Sequence, residues 1–235
     1  VDLKEITSGM FYARSAGRGI RSMPDGEHYT EMNRERTAIV RYNYASGKAV
    51  DTLFSVERAR ECSFKQIQNY EVSSTGHHIL LFTDMESIYR HSYRAAVYDY
   101  DVRRNLVKPL SEHVGKVMIP TFSPDGRMVA FVRDNNIFIK KFDFDTEVQV
   151  TTDGQITTDG QKNAIINGTA DWVYEEEFGV TNLMSWSADN AFLAFVRSDE
   201  SAVPEYRMPM YEDKLYPEDY TYKYPKAGEK NSTVS

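Results

Sequence analysis

Four short stretches of this sequence repeat one pattern, a serine beside a tight turn followed by a strand of apolar residues. They read SMPDGEHYTEM (22–32), VSSTGHHILLF (72–82), FSPDGRMVAFV (122–132) and WSADNAFLAFV (186–196). Their turn residues Gly26, Gly76, Gly126 and Asn190 lie 50, 50 and 64 positions apart. Turn chemistry explains the recurrence. Pro presets φ, Asp hydrogen-bonds its own turn, and Gly or Asn accepts the left-handed backbone that closes it. Downstream of the first three, YNYASGKAV (42–50), YDYDVRRNLV (98–107) and FDFDTEVQV (142–150) each read as strand, polar turn, strand. Each repeat is thus four short antiparallel strands in about 50 residues, the period and strand count of a β-propeller blade. A plain β-sandwich is the competing all-β architecture, but it supplies no reason for a repeat.

Four repeats across residues 1–235 predict about four blades. The last is expected to lack its closing strands, because NSTVS (231–235) stops as a new strand begins. An open propeller leaves raw sheet edges, so the chain reads as a piece of a larger protein. The aromatic content, 16 Tyr and 12 Phe, favours sheet over helix. A net charge of −7 argues against nucleic acid or an anionic membrane surface as the main partner. No apolar run approaches the roughly 18 residues that span a bilayer, and no signal-peptide pattern opens the chain. The single cysteine, Cys62, excludes an internal disulfide and reads as a partly buried structural thiol.

The third interval between turns is longer by 64 − 50 = 14 residues, which marks an insertion. Part of it is a tandem echo, TTDGQI (151–156) followed at once by TTDGQK (157–162). The rest is GTADWVYEEEFGV (168–180), in which three consecutive acids sit between aromatic and small apolar residues. Asp171 suits a helix N-cap, and acids are favourable in a first helical turn, so a short solvated helix end is one reading. The flanking Trp172, Val173, Tyr174, Phe178 and Val180 instead anchor the segment to the protein body, and inserted loops of propellers commonly carry function.

Paired, partly desolvated carboxylates have three common uses. A hard cation wants oxygen ligands at wider spacing, and DFDTE (143–147) offers two Asp with neither the Gly nor the distal Glu of a calcium loop. Glycosidase-type acid–base work needs two carboxyl groups facing across a cleft, which adjacent residues rarely provide. Capture of an ammonium group needs only two carboxylates converging on one cation. A second candidate is MESIYRHSYRAAVYDYD (85–101), where Arg90 and His91 sit between aromatics before an apolar strand. No G-x-S-x-G elbow, P-loop or H-E-x-x-H occurs, so His91 has no hydrolase serine motif to serve and reads as structural.

The motifs DWVYEEE (171–177), YRHSY (89–93), the FSPDG and WSADN turns and YPKAGEKNSTV (224–234) run in order along the chain. With them the sequence resembles the N-terminal propeller part of the dipeptidyl peptidase IV family, serine exopeptidases of the prolyl oligopeptidase clan, in a Bacteroidetes-like bacterial form. The resemblance implies an eight-bladed propeller capping an α/β-hydrolase domain that this chain does not contain. The catalytic triad would lie in that domain, with none of it here. By position in DWVYEEE, Glu176 and Glu177 are the pair expected to hold the free α-ammonium group of a peptide substrate. By position in YRHSY, Arg90 is expected to reach the carbonyl oxygen of the second residue before the scissile bond (P2).

The implied activity is release of N-terminal X-Pro or X-Ala dipeptides, with the isolated chain inactive. No cofactor and no metal is implied, and nucleic acid is not a partner. The resemblance also implies export to the periplasm, the cell surface or the medium, and a homodimer of the full-length protein. A tripeptidyl peptidase of the same clan is the near alternative, and a non-catalytic propeller that binds proteins is the alternative from another class.

Overall fold

The computed structural model describes residues 1–12, 19–156, 163–211 and 213–235, in two units, 1–58 and 59–235. In the first unit a short helix, α1 (Leu3–Thr7), is closed by a capping box between Asp2 and Glu5. It precedes a four-stranded antiparallel sheet of β1 (Arg21–Ser22), β2 (His28–Met32), β3 (Ala38–Asn43) and β4 (Ala49–Ser55), hydrogen-bonded in chain order. Ile39 and Phe54 are its fully buried apolar side chains.

The second unit opens with two further meanders of the same kind. One is β5 (Asn69–Val72), β6 (His78–Ser87), β7 (Tyr93–Asp101) and β8 (Leu106–Pro109). The next is β9 (Met118–Phe122), β10 (Met128–Arg133), β11 (Asn136–Lys141) and β12 (Thr146–Gln149). The remainder comprises β13 (Gln155–Ile156), β14 (Asn163–Asn167), α2 (Trp172–Phe178), β15 (Met184–Trp186), β16 (Leu193–Phe195), β17 (Arg197–Asp199), β18 (Glu205–Met210), β19 (Glu218–Lys223) and β20 (Thr233–Val234). Of these, β13, β14, β17 and β20 form one sheet, while β15–β16 and β18–β19 are two-stranded hairpins. In the three four-stranded meanders strand follows strand as antiparallel neighbours, so the architecture is the all-β, bladed one that the repeat predicts.

The turns behave as their chemistry requires. Gly26, Gly76, Gly126 and Asn190 adopt φ of 70°, 69°, 70° and 63°. The serine of the motif also has a structural duty. Ser73, Ser123 and Ser187 each accept, at Oγ, the N–H of the residue five positions on, at 3.1, 3.0 and 2.9 Å. The hydroxyl closes the mouth of the hairpin that the turn begins. Neighbouring turns in the second unit are then stitched together. Ser74 Oγ donates to the Pro124 carbonyl at 2.6 Å, and the Asp125 N–H donates to Asn190 Oδ1 at 3.0 Å.

The central strands bury both faces, which is why they read as continuous apolar runs. On β10, Val129 and Phe131 pack with Leu80, Phe82 and Val97 of the preceding sheet and with Leu110 just after it. Its alternate residues Ala130 and Val132 pack with Ile137 and Met184 and, at their margin, with Trp186, Leu193 and Phe195. A strand with period two can serve two interfaces only if no position is polar, and MVAFV meets that condition.

At the end of the chain Thr233 and Val234 form the strand that NSTVS predicts, pairing with Asp199 and Ser198 to add β20 to the sheet of β13, β14 and β17. The first copy of the tandem echo is described. Within it, Thr151 Oγ1 and the Gly154 N–H both donate to Asn136 Oδ1, at 3.1 and 2.9 Å, and Asp153 receives Arg197 and Asn167. The second copy, 157–162, lies outside the described residues.

Candidate functional site

The acidic insertion forms a helix, as Asp171 and the acids after it predict. Asp171 Oδ1 accepts the Tyr174 N–H at 2.8 Å as the N-cap, and Gly179 closes the other end at φ 65°, its N–H reaching the Glu175 carbonyl at 3.0 Å. The excursion is pinched at its base by an antiparallel bridge between Thr169 and Asn182. Two distant segments hold the helix in place. Ser232, in the YPKAGEKNSTV stretch, donates its hydroxyl to the second oxygen of Asp171. Tyr222 and Tyr224 flank Trp172, with ring centroids 6.2 and 4.5 Å away.

The three consecutive acids of α2 take three different positions. Glu175 is 1% exposed, and its Oε1 accepts the N–H groups of His91 and Ser92 at 2.6 and 2.8 Å. It is therefore neither a solvated helix-end charge nor a salt-bridged one. Glu176 Oε2 lies 3.0 Å from Arg90 Nε, where the Glu176 side chain is 14% exposed and that of Arg90 is 72% exposed. Glu177 is exposed and lines a recess of about 480 Å³ with Tyr174, Phe178, Asn231 and Ser232.

The sequence-predicted residues Arg90 and Glu176 are thus in contact although 86 positions apart, with Glu177 the next residue along the same helix. His91 is exposed and contributes its backbone rather than its ring. The acids of DFDTE are occupied elsewhere. Asp143 pairs with Arg127, and Asp145 pairs with Lys108 and Lys140, so the two cations hold the Asp145 carboxyl down to about 2. Among the described residues no group of three or more His, Cys, Asp or Glu could hold a metal ion.

Near the Asp171 cap of α2 lies a further buried acid that sequence reasoning missed. Glu200 is 2% exposed, and burial followed by the negative charge of Asp171 pushes its carboxyl up to about 8 against the opposing pull of Lys223. The Tyr89 phenol is pushed well up, first by its own burial and then by Glu200 and other neighbours that include Glu175 and Asp171. Glu200 carries no local motif that would flag it. The aromatic support was more accessible: Tyr220, Tyr222 and Tyr224 alternate at the period of one strand face.

Comparison with known proteins fits this geometry. Residues 73–235 match the family model described as the dipeptidyl peptidase IV (DPP IV) N-terminal region. A probable dipeptidyl-aminopeptidase B of Chaetomium globosum is 36% identical over 170 residues, 66% of this chain and 18% of that protein. A probable dipeptidyl-aminopeptidase B of Tuber melanosporum is 38% identical over 176 residues, 66% of this chain and 19% of that protein. The crystal structure of Porphyromonas gingivalis dipeptidyl peptidase 4 matches all of this chain at 94% identity with a TM-score of 0.90, over 32% of its own length. The chain therefore spans about a fifth of those curated relatives and about a third of the solved chain.

Proposed function

Because the chain belongs to the dipeptidyl peptidase IV N-terminal-region family, we propose that it forms the substrate-holding propeller of a serine dipeptidyl peptidase. In this reading Glu176 and Glu177 take the α-ammonium group of a peptide, and Arg90 takes the carbonyl oxygen of its P2 residue. The observation that carries the reading is the Arg90–Glu176 pair at 3.0 Å beside the exposed Glu177 carboxylate. Arg90 contributes +1 and the two glutamates −1 each, which sums to −1. One ammonium group neutralises that charge. Glu176 shared between a guanidinium and an ammonium also ties the two recognition elements into one network.

An amine fixed there sets a ruler. The carbonyl presented to a nucleophile at fixed distance is the one that ends the second residue, so the product is a dipeptide. The X-Pro and X-Ala preference and the serine nucleophile belong to the same proposal and would come from a hydrolase domain of the longer protein. The chain by itself is then inactive.

The test is kcat/KM of the longer protein on Gly-Pro and Ala-Pro chromogenic substrates, with their N-acetylated forms as controls. Each charge-assisted hydrogen bond is worth about 1.5–3 kcal/mol, so Glu176→Ala, Glu177→Ala and Arg90→Ala each lower kcat/KM by about 10- to 150-fold. Binding also weakens above about pH 8, as the substrate's α-amino group loses its proton. Normal activity in Glu177→Ala, or equal cleavage of the N-acetylated peptide, refutes the assignment.

A further inference from the structure

We propose that Glu175 is a positioning residue for Arg90, fixing the turn that presents the guanidinium. The inference rests on the assignment of Arg90 to substrate recognition. Residues 88–92 form one tight turn, in which the Ile88 N–H donates to the Ser92 carbonyl at 2.9 Å and the Tyr89 N–H donates to Ser92 Oγ at 3.3 Å. Arg90 sits at its apex. The next two amides, His91 and Ser92, both point at one oxygen of Glu175 across 84 and 83 positions of sequence. These are two of the shortest hydrogen bonds joining α2 to the rest of the protein, and both end within two residues of Arg90.

Arg90 is therefore held twice by consecutive residues of one helix. Glu175 fixes its backbone through the two amides that follow it, and Glu176 fixes its side chain through Nε. A carboxylate is a demanding choice for a buried position. Glu175 leaves Oε2 without a hydrogen-bond partner at 1% exposure, so packing alone would be served better by an apolar side chain. Its charge is matched instead by the two successive backbone dipoles, a concave pair of N–H groups suited to an anion. A first-turn acid also favours the helix, but any first-turn position facing solvent would supply that and none would require the side chain to be buried against residues 91 and 92. The arrangement makes sense if the conformation of the 88–92 turn is what Glu175 is kept for.

The experiment is a double-mutant cycle in the longer enzyme, read as kcat and KM on Ala-Pro chromogenic substrate, with thermal unfolding to verify folding. Glu175→Ala is expected to lower kcat/KM about 10- to 50-fold. The split of that loss between KM and kcat should match that of Arg90→Ala. In the Arg90→Ala background the same substitution should cost less than about three-fold, because the residue it positions is gone. Glu175→Gln, which keeps one carbonyl oxygen for the two amides, should retain more activity than Glu175→Ala. If Glu175→Ala fails to fold, the cycle is run with Glu175→Gln and Glu175→Asp.

An impaired Arg90→Ala with a fully additive Glu175 effect overturns the positioning role alone, as does wild-type activity in a folded Glu175→Ala. Wild-type activity in Arg90→Ala overturns the assignment of Arg90 on which it rests. Hydrogen exchange at residues 88–92 gives an independent reading: faster exchange in a folded Glu175→Ala, or in Glu175→Asp where Ala does not fold, supports the role, and unchanged exchange removes it.

Discussion

Replacing Glu200 by Gln should stabilise the protein at neutral pH, and the gain should disappear in acid. Glu200 is 2% exposed with Oε2 unpartnered, and its carboxyl is pushed from an ordinary 4.5 up to about 8. The folded state therefore holds this proton more tightly than the unfolded state does. Between about pH 4.5 and pH 8 the unfolded chain has released the proton while the folded one retains it, so stability falls as pH rises through that window. At pH 7 the interval from 4.5 is about 2.5 pH units, which at about 1.4 kcal/mol per unit comes to ~3 kcal/mol. Above pH 8 the folded-state carboxyl ionises as well, and the penalty levels off near ~5 kcal/mol.

Gln has the same length and no titration. The difference in melting temperature between Glu200→Gln and wild type, followed from pH 4 to pH 9, should be flat below about pH 4.5. It should then widen to on the order of 6–12 °C at pH 7 and become constant above about pH 9. Only the pH-dependent part tests the argument, since a uniform offset reports packing. Parallel melting curves across the whole range would show that Glu200 is not held protonated by its surroundings. Removing Lys223, the cation that opposes the shift, should leave the onset of the widening in place and extend its upper end to higher pH.

Three further outcomes follow from the turns and from the aromatic support of α2. Gly126→Val should destabilise by about 2–4 kcal/mol in urea unfolding, because φ is 70° there and a Cβ would sit 3.0 Å from that of Ser73. Gly76→Ala should cost only about 1 kcal/mol, since φ is 69° but no atom lies within 4 Å of the added Cβ. Trp172→Ala removes the ring packed by Tyr222 and Tyr224, and limited trypsin digestion should then cut faster at Lys214 and Lys223.

What the sequence revealed and what it hid divide along physical lines. A turn is a local object whose backbone conformation few residues tolerate, so Gly26, Gly76, Gly126 and Asn190 announced themselves and each adopts positive φ. The α2 helix was equally local, with its cap at Asp171 and its stop at Gly179. Strand pairing at the chain end was not, because Thr233 and Val234 find Asp199 and Ser198 across 34 to 36 residues that carry no signal for it. The candidate site was half legible. Arg90 and Glu176 were identified by motif and are in contact, while Glu175, Glu200 and the Tyr222–Tyr224 support act through partners remote in sequence. A buried acid looks like a surface acid until its neighbours are known.

The run of three glutamates is intelligible once helix geometry separates them. Successive residues of an α-helix project about 100° apart, so three adjacent acids cannot all share one face. Glu175 points into the body and spends its charge on two amides, Glu176 meets Arg90 at the rim, and Glu177 is left open to solvent. Behind them Asp171 is occupied by its cap and by Ser232, and Glu200 avoids adding a further charge by keeping its proton. Each internal acid thus has its own means of relief, through amides, a hydroxyl, a guanidinium or protonation. Glu177 alone has no ion pair or hydrogen bond among the described residues, and it adjoins the one acid already shared with an arginine. The charge left uncompensated is then a single negative one at the surface, next to a fixed guanidinium, and the free N-terminus of a peptide carries the single positive charge that matches it.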